Sequence, residues 1–385
     1  MERQFNGERL KKARIYRGMT VKELAEASGC QRQTLSMYEI SKSQPADSNV
    51  VDKIAGILRF PVNYFYESED IDNKGTVYFR SLLTTNKKYR TEQIIKMEFL
   101  SQVYSMLEDY IQFPKVDLLP NDIEYTPELA ARELRRIWGL GNEPIKDIVT
   151  EVEKHGLIVT TFDTSTNDID AFSQFVNTNG EPTFLIAYSS NKTSAARIHF
   201  DIAHELGHIC LHDWSDDIEE LSKDEFRERE QQAHEFAAAF LLPEETFRKD
   251  VMGISQTIAG YKELKKKWRV SIAAMIRRAA NLGVITYDQY QDMIRMMQRR
   301  GIRKEEPLDD MLITASPALL KSSVMILLHE EVFTPQEFME ELASEYGLSI
   351  YPEDIEYLLD LPKNTLVPEK IINFPSLQIK KDNKI

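Results

Sequence analysis

The chain predicts a mostly helical protein with a small antiparallel β-sheet, and three observations carry that expectation. Apolar residues recur at three- and four-residue spacing over most of the 385 residues. Extended apolar runs gather only between Leu157 and Tyr188, and two of them flank a strong hairpin turn. One helical stretch, Ile198 to His212, carries His204-Glu205-Leu206-Gly207-His208. Three units are expected: a five-helix head over residues 1–66, an α+β body over 75–300 and a helical C-terminal region over 305–385.

Bulk properties narrow the class. Charged residues make up 29% and hydrophobic residues 42%, ordinary values for a soluble globular protein. No apolar run reaches the roughly 18 residues of a membrane span, and the N-terminus shows no apolar signal region. Cys30 and Cys210 form no disulfide framework, so a cytoplasmic location and no membrane partner are expected. The net charge is −14, yet residues 1–66 hold eleven Lys/Arg against seven Asp/Glu. A basic head on an acidic body suits a separate nucleic-acid module.

The head reads as helices over Gly7–Arg17, Val21–Ala27, Gln31–Glu39, Asp47 or Ser48 to Leu58, and a last turn over Pro61–Tyr66. Thr20 caps the second helix and Gly29 stops it. Two short helices around a glycine turn form a helix-turn-helix pattern. The third helix opens with Gln31, Arg32, Gln33 and Thr34, side chains able to reach base edges or phosphates of double-stranded DNA. Leu35 and Tyr38 are expected to face inward.

At these residues the head resembles the Cro/phage-repressor (XRE) helix-turn-helix family. The matching residues run R-x-x-R-G-x-T-x-x-E-L-A from Arg14 to Ala25, then S-x-Y-E at Ser36–Glu39, and Pro45. The resemblance implies that Arg32, Gln33 and Met37 enter the major groove of an operator. It also implies an ion pair between Arg14 and Glu39. Val21 stands where the family often has a phosphate-contacting Gln, and Ser41 replaces a common Gly.

Residues 67–75 are acidic and suit a linker. Helices follow over Thr91–Ile111, Thr126–Trp138 and Pro144–Lys154, with His155 as a partner for the last helix dipole. Strands are expected over Leu157–Phe162, Ala171–Val176 and Thr183–Tyr188, the last two joined by a turn at Asn177–Pro182. Helices, a small sheet and a metal-binding helix form a zincin-like order. In such enzymes an edge strand holds an extended peptide by β-augmentation.

The helix at Ile198–His212 is the chemical centre. Residues four apart share a face, so His204 and His208 can meet one metal ion, with Glu205 placed to handle a water. That set suits a catalytic zinc, which normally takes three protein ligands. A metzincin third ligand would need Gly at 211 and His at 214; Leu211 and Trp214 exclude it. A carboxylate from a later helix is left, and Phe226–Leu242, ended by Pro243, offers Glu230 with His234 one turn on. Ala237 and Ala238 would let this helix approach closely. Glu228 and Glu235 are expected in solvent, Cys210 as a buried thiol, and His199 about 140° away around its helix.

Here the chain resembles the ImmA/IrrE metallopeptidase family. The matching residues are A-H-E-L-G-H at Ala203–His208, E-x-x-A-H-x-F-A-x-x-F-L-L-P from Glu230 to Pro243, D-A-F-S at Asp170–Ser173, and K-x-x-W-x-V-S-I at Lys265–Ile272. The resemblance implies one Zn2+ per chain, with Glu230 as third ligand beside His204 and His208, and His234 supporting the site from behind. His212 continues the ligand face and is expected to act on a ligand rather than on the metal. Glu205 is the expected base; Tyr188, Arg197 and His212 are candidates for stabilising the oxyanion.

Toward the C-terminus, helices are expected over Ser271–Leu282, Thr286–Arg299, Pro317–His329, Thr334–Tyr346 and Pro352–Asp360. Arg277, Arg278 and the 299–304 run read as solvated. The resemblance implies a zinc endopeptidase whose protein substrate is a helix-turn-helix repressor, in stress or mobile-element control. The alternative is a DNA-binding repressor or antitoxin whose body senses or binds a partner with little proteolysis. A homodimer is compatible with either.

Overall fold

The computed structural model describes residues 4–67, 77–79, 87–120, 123–163, 170–178, 181–191, 194–214 and 221–368. Most of the expected linker at 67–75 and the tip of the 177–182 turn lie outside the described residues.

The head contains α1 (Gly7–Tyr16), α2 (Val21–Ser28), α3 (Arg32–Glu39), α4 (Ser48–Leu58) and a 3-10 turn at Val62–Tyr66. Local chemistry sets these boundaries. The Asn6 side chain accepts from the first backbone N–H groups of α1, Thr20 and Glu23 form a capping box, and Gly29 ends α2 in the left-handed conformation at φ 73°. Gly7 is required by a close approach, since a Cβ there would lie 1.9 Å from the Tyr38 carbonyl oxygen. Ser41 adopts φ 54°. A glycine tolerates that geometry better, which explains why related heads favour it.

The short strand β1 (Val77–Phe79) follows, then α5 (Lys87–Tyr110), α6 (Pro127–Ile137), α7 (Ile148–Lys154), β2 (Ile158–Phe162), β3 (Ala171–Thr178) and β4 (Glu181–Ser189). α7 starts later than Pro144 because Asp147 caps it, accepting from the Thr150 N–H. His155 caps its C-terminus and stacks flat on Trp138 at 4.3 Å. β3 and β4 form the expected antiparallel hairpin, but β2 runs parallel to β4, so the sheet is mixed. The reason is the order β1-β3-β4-β2: β2 reaches the far side of β4 only by a crossover.

Alternation along the strands separates two apolar cores. Ile158, Phe162, Phe172, Leu185 and Ala187 face one way. Val159, Ala171, Ile186 and Tyr188 face the other. Against this second face lie α8 (Ala195–Leu211), α9 (Lys223–Leu241), α10 (Glu244–Met252), α11 (Ile258–Trp268), α12 (Ile272–Asn281) and α13 (Tyr287–Arg299). A Ser222–Glu225 capping box starts α9 earlier than Phe226. Arg278 is a correction to the solvated reading: it is buried, holds Glu128 with two contacts of 2.7 Å and donates to the Leu242 carbonyl.

The first face is covered by α5 and by α14 (Leu319–His329), α15 (Pro335–Ser344) and α16 (Pro352–Leu358). The head packs into the same core through Leu10, Tyr16 and Phe60. Arg17 grips the Asp354 carboxylate at 2.6 and 2.7 Å, and Arg9 donates to the Gly347 carbonyl. No helix among the described residues is long and apolar enough to cross a membrane.

Candidate metal centre

α8 and α9 bring together the three residues expected as ligands. His204 and His208 present their Nε2 atoms to each other at 3.0 Å. The Glu230 carboxylate completes the group, 3.6 Å from His204 Nε2 and 3.2 Å from His208 Nε2. One ligand atom from each residue lies within 4.8 Å of the others. Two imidazole nitrogens and a carboxylate oxygen, with both His buried, form a donor set suited to zinc.

The helices meet closely enough because Gly207 has no side chain. A Cβ there would lie 3.1 Å from Ala233 Cα and from its carbonyl oxygen. The close approach falls at Gly207 and Ala233, one turn before Ala237 and Ala238. Its sequence signal is the glycine inside H-E-L-G-H.

His208 is supported from behind. His208 Nδ1 lies 3.0 Å from His212 Nδ1, and His212 Nε2 lies 3.0 Å from Gln232 Oε1. Burial first, and the neighbouring His208 second, push His212 down to about 3. It is therefore neutral, and one consistent proton order runs from His208 Nδ1–H to His212 and from His212 Nε2–H to Gln232. The His234 ring stands 4.5 Å from the His204 ring. Burial raises the Glu230 carboxyl, but hydrogen bonds and charge from His204 and His208 outweigh it and hold the group well below the usual range.

Glu205 is buried beside the ligands and accepts a 2.7 Å hydrogen bond from Ser173 Oγ on β3. Ser173 is legible in the sequence only as part of D-A-F-S, without a role; Gln232 carries no sequence signal. Of the oxyanion candidates, His212 stands behind His208, Tyr188 is buried in the core and Arg197 is exposed. Glu228 and Glu235 are exposed, as expected. His199 points elsewhere, to Thr314 Oγ1 at 3.2 Å, and burial lowers it to about 4. Cys210 is half-buried, with its thiol pKa raised by desolvation.

On the head, Gln31, Arg32 and Gln33 at the start of α3 are exposed, while Thr34 and Met37 are half-buried. Arg14 holds Glu39 through two contacts, one of 2.9 Å, and donates to the Met19 carbonyl at 2.7 Å. This pair locks α1 to the end of α3 and presents the opening of α3 outward.

Fold and site thus define a helix-turn-helix head joined to a body in which an H-E-x-x-H helix and α9 form a candidate metal-binding cluster. Residues 10–65 match the helix-turn-helix family, and residues 152–280 match the IrrE N-terminal-like domain, a peptidase family. The two matches together fit an XRE-type helix-turn-helix unit followed by an ImmA/IrrE-type peptidase domain. No curated protein matches it.

Proposed function

We propose that the chain is a cytoplasmic zinc endopeptidase and transcription regulator that cuts a partner protein, a helix-turn-helix repressor being the expected substrate. The supporting observation is the convergence of His204, His208 and Glu230 within 4.8 Å beside Glu205. A purely structural zinc site would close with a fourth Cys or His and would not need a carboxylate base.

His204, His208 and Glu230 would hold one Zn2+. When bound, that ion would supply a Lewis acid that polarises the scissile carbonyl and acidifies the attacking water. Glu205 takes the water's proton and delivers it to the leaving amine. Ser173 orients the Glu205 carboxylate through its 2.7 Å hydrogen bond, and His212 with Gln232 fixes the His208 ring. Glu205→Gln is expected to keep stoichiometric zinc and to lose peptide cleavage by a factor of at least about 10². Retained cleavage in that variant would remove Glu205 from the base role.

The head, residues 1–66, is proposed to bind operator DNA through Gln31, Arg32, Gln33, Thr34 and Met37. Operators for this motif are commonly two-fold, so binding by a homodimer is expected. Residues 75–300 would serve as the peptidase unit, with regulation or self-association as the candidate roles of the helical unit over 305–385. Arg32→Ala with Gln33→Ala is expected to weaken binding to the chain's own promoter by about 1–3 kcal/mol per lost base contact. Unchanged footprinting would sink the assignment of α3.

A second reading, a repressor or antitoxin with a partner-sensing body, draws on the exposed opening of α3. Full regulation by the Glu205→Gln variant would favour it.

A further inference from the structure

Which strand of the sheet is open to a peptide is decided by β1. The sheet order β1-β3-β4-β2 places β1 outside β3. Pairing is antiparallel, with Val77 opposite Gln174, Tyr78 opposite Ser173 and Phe79 opposite Phe172. Ser173 is the residue whose hydroxyl reaches Glu205 at 2.7 Å. The backbone directly across from the Glu205 partner therefore belongs to the start of the body, just after the expected linker. The other outer strand, β2, is separated from β3 by β4 and meets α16. There Thr160 Oγ1 donates to the Leu358 carbonyl, and the Asp163 N–H donates to the Tyr357 hydroxyl.

An outer sheet edge accepts an extended chain by continuing the backbone ladder. Along β3, three residues of this chain already do so.

We infer that β1 is an intramolecular occupant of the substrate position: an extended polypeptide segment must displace Val77–Phe79 to lie antiparallel on β3. Cleavage of the bound segment rests on the proposed peptidase activity; the binding itself does not. The occupant is replaceable because three residues make a short strand beside the usual five to six. Its tether compensates by keeping it at an effective concentration on the order of millimolar. Val-Tyr-Phe is β-branched and aromatic, a composition that suits strands. An incoming segment of the same character is the expected ligand class. The start of the tether is fixed to the head, where Asn6 Nδ2 donates to the Glu67 carbonyl and Arg9 lies 3.4 Å from the Glu67 carboxylate. Head and substrate edge are thus two ends of one short stretch of chain.

The test uses full-length protein carrying Tyr78→Pro, because proline disrupts a strand ladder at its centre. Val77→Gly with Phe79→Gly is the second variant, in case the first misfolds. Each is combined with Glu205→Gln so that the probe survives. The probe is a fluorescent peptide of residues 74–82, read by anisotropy, with circular dichroism and zinc content as checks on folding. Binding is expected to be at least about tenfold tighter to the β1 variants than to the parent, because the tethered competitor has gone. A probe with proline at its central position should not bind. Equal binding to parent and variants, or binding to neither, overturns the inference. With Glu205 restored, the variants should also cleave the probe faster. Tighter binding without any cleavage upholds the β1 assignment and counts instead against the peptidase reading.

Discussion

At the residue scale, His212 stands outside the candidate ligand set and is placed to govern a residue inside it. A histidine ligating through Nε2 must donate its Nδ1 proton, and His212 stands 3.0 Å from that atom on His208. Gln232 in turn accepts from His212 at 3.0 Å, so ring orientation and tautomer are fixed together. His212→Ala removes the acceptor and frees the His208 ring. Zinc affinity, measured by competition with a chelating dye, is expected to fall about 10–100-fold, the usual cost of losing such a partner. An unchanged affinity would mean that packing alone orients His208. The sequence showed His212 on the ligand face but gave no view of Gln232, because the two residues belong to different helices.

At the element scale, the candidate metal cluster depends on how closely α8 and α9 pack. Their separation is set where Gly207 faces Ala233, with Phe236 Cδ1 also 3.1 Å from the position of an added Cβ. Backbone atoms cannot move aside as a flexible side chain would, so Gly207→Ala must part the helices near Glu230. Such overpacking is expected to cost about 1–3 kcal/mol of stability. Zinc binding by calorimetry should weaken in the same variant, while helix content stays near the parent value. A variant with normal zinc affinity would show that Glu230 tolerates a wider spacing. α9 itself is held by its capping box at one end and stopped before Pro243 at the other; the sequence predicts the stop but places the start later, at Phe226. Its distance from α8 is not predicted either, since a glycine inside a helix signals a close neighbour without naming it.

At the scale of the whole molecule, buried carboxylates tie the segment around 306–319 to the body and make its stability depend on pH. Burial pushes Glu153 up to about 7, although it accepts from the N–H groups of Ala318 and Leu319. Its proton is held more tightly when folded than in the unfolded chain, near 4.5. This group therefore favours the folded state at low pH, and that contribution is lost as pH rises from about 4.5 through 7. Asp147 and Asp309 behave oppositely. Burial raises both, but Asp147 accepts from Ala315, Thr150 and Thr314, and Asp309 from Lys265 and Ser194, so each ends below its ordinary value. Their contribution is full above the unfolded value of 3.8 and is lost as pH falls through the folded one. His199 and His212, lowered to about 4 and about 3, add stability as pH rises through the same interval and so oppose Glu153. In thermal unfolding, Glu153→Gln should therefore gain stability relative to the parent as pH rises between about 4.5 and 7, with the acid limb intact. Parallel pH profiles for parent and variant would remove Glu153 from this role.

What the sequence determined by itself was local. Helix periods, caps such as Thr20 with Glu23 and the H-E-x-x-H spacing depend on neighbours within a few residues, so they could be read directly. So could the exposed start of α3. Tertiary structure decided what arises between distant segments. It made the sheet mixed by sending β2 to the far side of β4, turned Arg278 inward to Glu128, and joined Ser173 to Glu205. It also laid Val77–Phe79 along β3. These pairings depend on which surfaces gain most by leaving water together, and that competition is settled only when the whole chain packs.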